Sequence, residues 1–238
     1  MVIGTRCWAC SKTHSKYQVP STHSRKDFLI HDSNNRAKKI KLILFDVDGV
    51  LTDGTLWFFP APAAGPRATD DQRAQKGDAP GFGILSQNMI EAKGFNAHDG
   101  TAISLARLGG LKTGMVTKRI SETVAIRARD LRIDYLYQGA DNKSEVLDRI
   151  LAESGFREEQ IAYVGDDVID LPIMRRCGLA IAVANARPQV KAMAHYHTQS
   201  GGGHGAARDA VEYILQAQGT LEKVIEAYIA ARSEIKSP

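Results

Sequence analysis

Asp46 and Asp48 close an apolar run in KLILFDVDGVLTDG, the stretch from Lys41 to Gly54. Residues i and i+2 of an extended strand point to the same side, so the two carboxylates can converge where the chain leaves a sheet. Two anions held that close drive one pKa up unless a cation intervenes. Three more polar clusters follow short apolar runs: Thr117, Lys143, and Asp166 with Asp167 and Asp170. Asp166, ending a neighbouring strand, would complete an oxygen-rich site of the kind Mg²⁺ prefers, with few protein ligands, several waters and a substrate phosphate. Lys143 would supply fixed positive charge for the phosphate and the attacking carboxylate, and the Thr117 hydroxyl would hydrogen-bond a phosphoryl oxygen. The constellation reads as phosphoryl transfer.

Other readings of these residues are weaker. An EF-hand would need an oxygen ligand at position 50, glycine at 51 and glutamate at 57, where the chain has Val50, Leu51 and Trp57. Asp and Gly after a strand also start turns, and Asp53 with Gly54 is assigned to that role. Lys143 alone could be an exposed lysine at a helix start. In GDDVID, Asp170 before Leu171 and Pro172 can serve both as a helix cap and as support behind the ligands.

The elements that position these residues are continuously apolar runs at 41–47, 111–117, 134–139, 161–166 and 179–183. Strands apolar on both faces belong to a parallel sheet covered by helices. Helical patterns lie between them: Thr101 to Leu108 before Gly109 and Gly110, Ser121 to Leu131 with Ser121 as N-cap, and Ser144 to Leu151 before Ser154 and Gly155. The expected fold class is α/β, a Rossmann-like open parallel sheet with helices on both faces, its ligand crevice beyond the carboxyl ends of the strands. Pro60 to Pro80 holds four of the eight prolines and reads as a long mobile loop. Gly201 to Gly203 precede two helical stretches, Ala206 to Gln218 and Leu221 to Ser233. The second carries an apolar stripe of Leu221, Val224, Ile225, Tyr228 and Ile229, suited to docking on its own domain or on a sister subunit.

Charge is unevenly spread along the 238 residues. Residues 1–40 hold eight Lys or Arg against two acids, leaving 23 against 25 in the rest. A basic leader on a slightly acidic globule gives no footprint for nucleic acid. Residues 1–38 are read as a disordered leader and 39–233 as one domain. No stretch approaches the ~20 apolar residues of a membrane span, and the leader lacks the apolar centre of a secretory signal. Three cysteines suit a reducing cytosol; Cys7 and Cys10, with His14 nearby, have the spacing of half a zinc knuckle, but no second pair follows. The expectation is a cytoplasmic protein with no nucleic-acid or membrane partner.

In order, DVDGVLTDG, Thr117 after an apolar strand, NK at 142–143 and GDDVIDLP at 165–172 resemble the four motifs of the haloacid dehalogenase superfamily. GFNAHDG at 94–100, YLYQGADNK at 135–143, YVGDDVIDLPIM at 163–174 and SGGGHGAARDA at 200–210 are similar to the 3-deoxy-D-manno-octulosonate 8-phosphate phosphatase family, a resemblance covering roughly residues 40–230. It implies Asp46 as the nucleophile that forms an aspartyl-phosphate, and Asp48 as the acid that protonates the leaving oxygen and then activates water. It also implies Mg²⁺ held by Asp46, Asp166 and the backbone carbonyl of Asp48, with Asp167 and Asp170 behind them. Asn96, Asp99, Gly100, Arg119, Arg127 and Asp48 match positions lining the pocket for an acidic sugar phosphate. The family has a short hairpin flap instead of a cap domain, placed here at about 55–95, and closes its site with a neighbouring subunit of a homotetramer. The glycine-rich tail around His204 is then a candidate to reach an adjacent site.

The implied activity is Mg²⁺-dependent hydrolysis of 3-deoxy-D-manno-octulosonate 8-phosphate. The alternatives are a phosphatase for a related nine-carbon sugar acid and a silent assembly module like the domain fused to sugar cytidylyltransferases. Two departures stand out: Lys118, where many relatives have glycine, and the lengthened flap loop at 60–80.

Overall fold

The computed structural model describes residues 32–60 and 89–233. The expected parallel sheet is present, with six strands: β1 (Leu42–Phe45), β4 (Lys112–Val116), β5 (Tyr135–Tyr137), β6 (Ile161–Gly165), β7 (Leu179–Ala182) and β8 (Tyr196–His197), ordered β5-β4-β1-β6-β7-β8. A separate antiparallel pair joins β2 (Trp57–Pro60) to β3 (Met89–Ala92), the hairpin flap expected after the first motif. β1 pairs with β4 through Phe45 and Met115 and with β6 through Phe45 and Val164, so Asp46, Thr117 and Asp166 leave three adjacent strands at one edge. Leu42 to Phe45 and Ile161 to Gly165 are buried throughout, the reason those runs show no polar alternation.

The helices are α1 (Ala97–Leu108), α2 (Glu122–Leu131), α3 (Lys143–Ser154), α4 (Leu171–Met174), α5 (Pro188–Met193), α6 (Ala206–Ala217) and α7 (Leu221–Ser233). The chain steps outward from β1 through β4 to β5, then returns across the sheet to β6, β7 and β8. Right-handed crossovers therefore set α1 and α2 on one face and α3 to α5 on the other. α6 and α7 pack on α1, so part of the apolar stripe of α7 docks on its own domain, with Val224 buried, while Ile229 is 59% exposed.

Several boundaries differ from the sequence reading. α1 starts at Ala97, not Thr101, because the Asn96 side chain accepts the His98 N–H at 2.7 Å and caps it. α3 starts at Lys143, capped by Asn142 through the Ser144 N–H at 3.1 Å. Ser121 does occupy the N-cap position of α2, but its hydroxyl makes no capping bond. β8 has two residues and no apolar run to reveal it. Residues 32–37, assigned to the leader in the sequence reading, are helical, and Ala37 is fully buried. Gln218 Nε2 donates to Ile40 O at 2.9 Å, and Tyr213 Oη to Ser33 Oγ at 2.8 Å, tying this segment to α6. Most of the 60–80 loop, with Cys7, Cys10 and His14, lies outside the described residues. Among those described, no helix is long and apolar enough to cross a membrane.

Candidate active site

The turn after β1 is built to present carboxylates. Asp46 extends the strand, its N–H bonded to Val164 O at 3.0 Å, and the chain then makes a widened turn over Val47–Leu51, closed by Thr52 N–H to Val47 O at 3.0 Å. Within it Asp48 is non-helical and Gly49 has φ 91°, a conformation favoured by glycine. A Cβ on Gly49 would also meet Asp166 Oδ2 at 2.3 Å, so the glycine lets the neighbouring carboxylate approach the turn. Asp53 starts the next turn, accepting the Thr55 N–H at 2.8 Å, in the role the sequence suggests.

Asp46 is 3% exposed and receives the Val47 N–H at 2.6 Å on Oδ1; its Oδ2 lies 2.8 Å from Lys143 Nζ. Lys143 is 1% exposed and sits between Asp46 and Asp170, with Asp170 Oδ1 at 2.6 Å and Tyr163 Oη at 2.9 Å. It is therefore no surface lysine. Burial opposes its charge, but Asp46 and Asp170 outweigh it and raise the ammonium's pKa. Burial likewise pushes Asp46 up to about 8, with Lys143 pulling it back and Asp170 and Asp166 adding to the rise. Asp166 is pushed up to about 7 by burial, Asp170 and Asp167.

Carboxylate oxygens of Asp46, Asp166 and Asp170 all lie within 4.8 Å of one another. Asp170 is already saturated: Lys143 and Tyr163 hold Oδ1, and the N–H groups of Asp166 and Asp167 hold Oδ2 at 2.9 and 3.2 Å. Asp166 Oδ1, in contrast, is buried with no hydrogen-bond partner among the described residues. A buried carboxylate oxygen with no partner among the described residues, beside a second buried carboxylate, fits a divalent cation held by Asp46 and Asp166. Asp170 is the support behind them, and Asp167 caps the short turn that follows β6.

The cleft over these groups is lined by Asp46, Asp48, Thr117, Lys118, Arg119, Asp166, Asp167 and Ile169. Six of the eight are residues the sequence singled out for chemistry or substrate. Lys118 needs no left-handed backbone, since Arg132 is the only described non-glycine residue with positive φ, and Arg119 still reaches the site, its Nε 3.6 Å from Asp48 Oδ2. None of the other expected pocket residues lines this cleft. Asn96 caps α1 and its Nδ2 donates to Gly203 O at 3.2 Å. Asp99 accepts the N–H groups of Gly205 and Arg208 at 3.2 and 3.0 Å. Arg127 lies over the Phe95 ring, 5.6 Å from its centroid, in the space Gly100 leaves open, and its buried Nε has no partner among the described residues.

Asn96 and Asp99 thereby hold the glycine-rich tail against its own chain. Gly203 N–H donates to Val50 O at 2.9 Å, and a Cβ on Gly202 would lie 1.8 Å from Gly49 O. Gly202→Ala is accordingly expected to lower stability by about 1–3 kcal/mol and displace the turn that carries Asp48, because the clash is with backbone. A fall in melting temperature together with reduced turnover would register it.

Two participants were not legible in the sequence. Tyr163, inside an apolar strand, looks like core, yet its hydroxyl bridges Lys143 and Asp170. Lys93, in EAKGF, is buried and pairs with Asp48 across 45 residues.

Comparison with known proteins gives concordant matches. A family model described as haloacid dehalogenase-like hydrolase matches residues 116–208. The 3-deoxy-D-manno-octulosonate 8-phosphate phosphatase of Escherichia coli K12 is 34% identical over 188 residues, covering 79% of this chain and 86% of that protein. A crystal structure of the enzyme of that name from Yersinia pestis is 35% identical with TM-score 0.66, covering 80% of this chain and 89% of its own. That from Moraxella catarrhalis, solved with a magnesium ion, a phosphate ion and KDO, is 30% identical with TM-score 0.69, covering 83% and 98%.

Proposed function

The chain belongs to the haloacid dehalogenase-like hydrolases, in the 3-deoxy-D-manno-octulosonate 8-phosphate phosphatase family, and from that premise we propose that this phosphomonoester hydrolase converts 3-deoxy-D-manno-octulosonate 8-phosphate to the free sugar acid and phosphate. The observation that carries the reading is the buried Asp46 carboxylate, backed by Lys143, beside the unpartnered oxygen of Asp166 and below Asp48 and Arg119.

Asp46 attacks phosphorus, forming an aspartyl-phosphate as the bond from phosphorus to the sugar oxygen breaks. Asp48 donates its proton to that departing oxygen. In the second step Asp48 takes a proton from water, whose oxygen attacks the phosphorus of the aspartyl-phosphate and frees Asp46. Lys143 keeps the nucleophile oriented from below, and the Thr117 hydroxyl and Arg119 offer donors to the phosphoryl oxygens and the acidic substrate. When bound by Asp46, Asp166 and the Asp48 backbone carbonyl, Mg²⁺ supplies positive charge that offsets that of the carboxylates and the phosphate.

The same reading includes a cytoplasmic homotetramer. The homotetramer has support on this chain in the flap, where Trp57, Phe59 and Ile90 are 56%, 51% and 47% exposed, an apolar hairpin suited to cover by a neighbouring copy.

A panel of sugar phosphates with Mg²⁺ tests the proposal. Release from the eight-carbon acid phosphate is expected to lead, and chelation is expected to abolish it until Mg²⁺ is restored. Preference for a nine-carbon acid phosphate would move the substrate, and no release from any ester would favour the silent assembly module.

A further inference from the structure

Lys93 follows the flap strand β3 directly. Its side chain has no exposed surface, and it does not line the cleft. Its ammonium pairs with Asp48 Oδ1 and lies 3.6 Å from Glu91 Oε1, an oxygen that is buried without a hydrogen bond among the described residues. On the other side, Arg119 Nε lies 3.6 Å from Asp48 Oδ2. Glu91 O accepts from Thr123 Oγ1 at 3.1 Å, which fixes the end of the flap strand to the start of α2.

These contacts divide the cationic groups by task. Arg119 and Lys118 face the cleft and can meet a ligand, whereas Lys93 can act only through the carboxylate it holds. Asp48 needs such a hold: it sits in a non-helical turn and its side chain is 24% exposed. A charge-assisted hydrogen bond from a buried, immobile donor fixes a carboxylate more firmly than water does. We propose that Lys93 is a positioning residue for proton donation to the leaving group: it fixes the Asp48 carboxylate and thereby couples the base of the flap to general-acid catalysis. The inference rests on the phosphatase reading with Asp48 as the acid.

The test uses the full-length protein with Mg²⁺ and a series of substituted phenyl phosphates whose leaving groups differ in basicity but carry no sugar. Lys93→Met is expected to lose about 10- to 100-fold in kcat for the most basic leaving group and little for p-nitrophenyl phosphate, whose leaving group needs no proton. The dependence of kcat on leaving-group basicity therefore steepens, while KM changes little and Lys93→Arg recovers part of the loss. A structural role would lower the whole series by one factor, and a sugar-contacting role would leave it untouched; either result overturns the proposal. If Lys93→Met does not fold, Glu91→Gln, which releases the other end of the clasp, decides: a steeper dependence supports the proposal and an unchanged one overturns it. An unmodified protein inactive on every ester removes the phosphatase reading and this inference with it, whereas an active one with an unchanged slope in the variants removes this inference alone.

Discussion

Asp46→Asn is expected to lower phosphate release by about 10⁴-fold or more, because an amide oxygen is a poor nucleophile and the remaining groups cannot replace a covalent step. The fold should not suffer. The native carboxylate is 3% exposed and its pKa is pushed up to about 8 by burial despite Lys143, so in Mg²⁺-free protein its ionised form is held at a cost. The amide keeps the shape and the acceptor for the Val47 N–H while removing that cost. Melting of the Mg²⁺-free variant should therefore match or exceed that of the unmodified protein, alongside lost turnover. Turnover that survives would remove Asp46 as nucleophile.

Lys143→Met is expected to damage both function and fold. The lysine is the cation between two carboxylates that are 3% and 0% exposed, Asp46 and Asp170, and its removal leaves them to repel each other in a dry interior. Breaking a buried pair in this way costs about 3–5 kcal/mol, which denaturant titration would show as a lower midpoint. Release should fall by about 10²- to 10³-fold, as expected on losing a preorganised positive charge that orients the nucleophile. Adding Asp170→Asn should recover part of the stability, since the three groups share one network and their effects do not add. Turnover should not return with it. Simple additivity of the two substitutions would contradict a shared network.

Much of this site was legible because chemistry stands out against a buried strand. Asp46 and Asp166 each end a run buried along its whole length, and the parallel order brings those ends together at one edge. Asp170 was read as support before Leu171 and Pro172, and its two oxygens do hold Lys143, Tyr163 and the turn after β6. What the sequence hid depends on distance along the chain. Lys93 reaches Asp48 from across the flap, and no local pattern marks that pairing. Asn96 and Asp99 were legible as polar positions in GFNAHDG, but their attachment to Gly203, Gly205 and Arg208 joins segments more than a hundred residues apart. Gly202 looks like one of three glycines in a loop, and only the backbone of Gly49 beneath it explains why a side chain would not fit.

The central claim, that Asp46 accepts the phosphoryl group, is tested most directly by rapid acid quench of the protein turning over labelled 3-deoxy-D-manno-octulosonate 8-phosphate with Mg²⁺, followed by peptide mapping. The expected result is a phosphoryl group on the peptide that carries Asp46, appearing before steady-state phosphate release. Full turnover with the label on another peptide, or with no protein-bound label at any quench time, would contradict it.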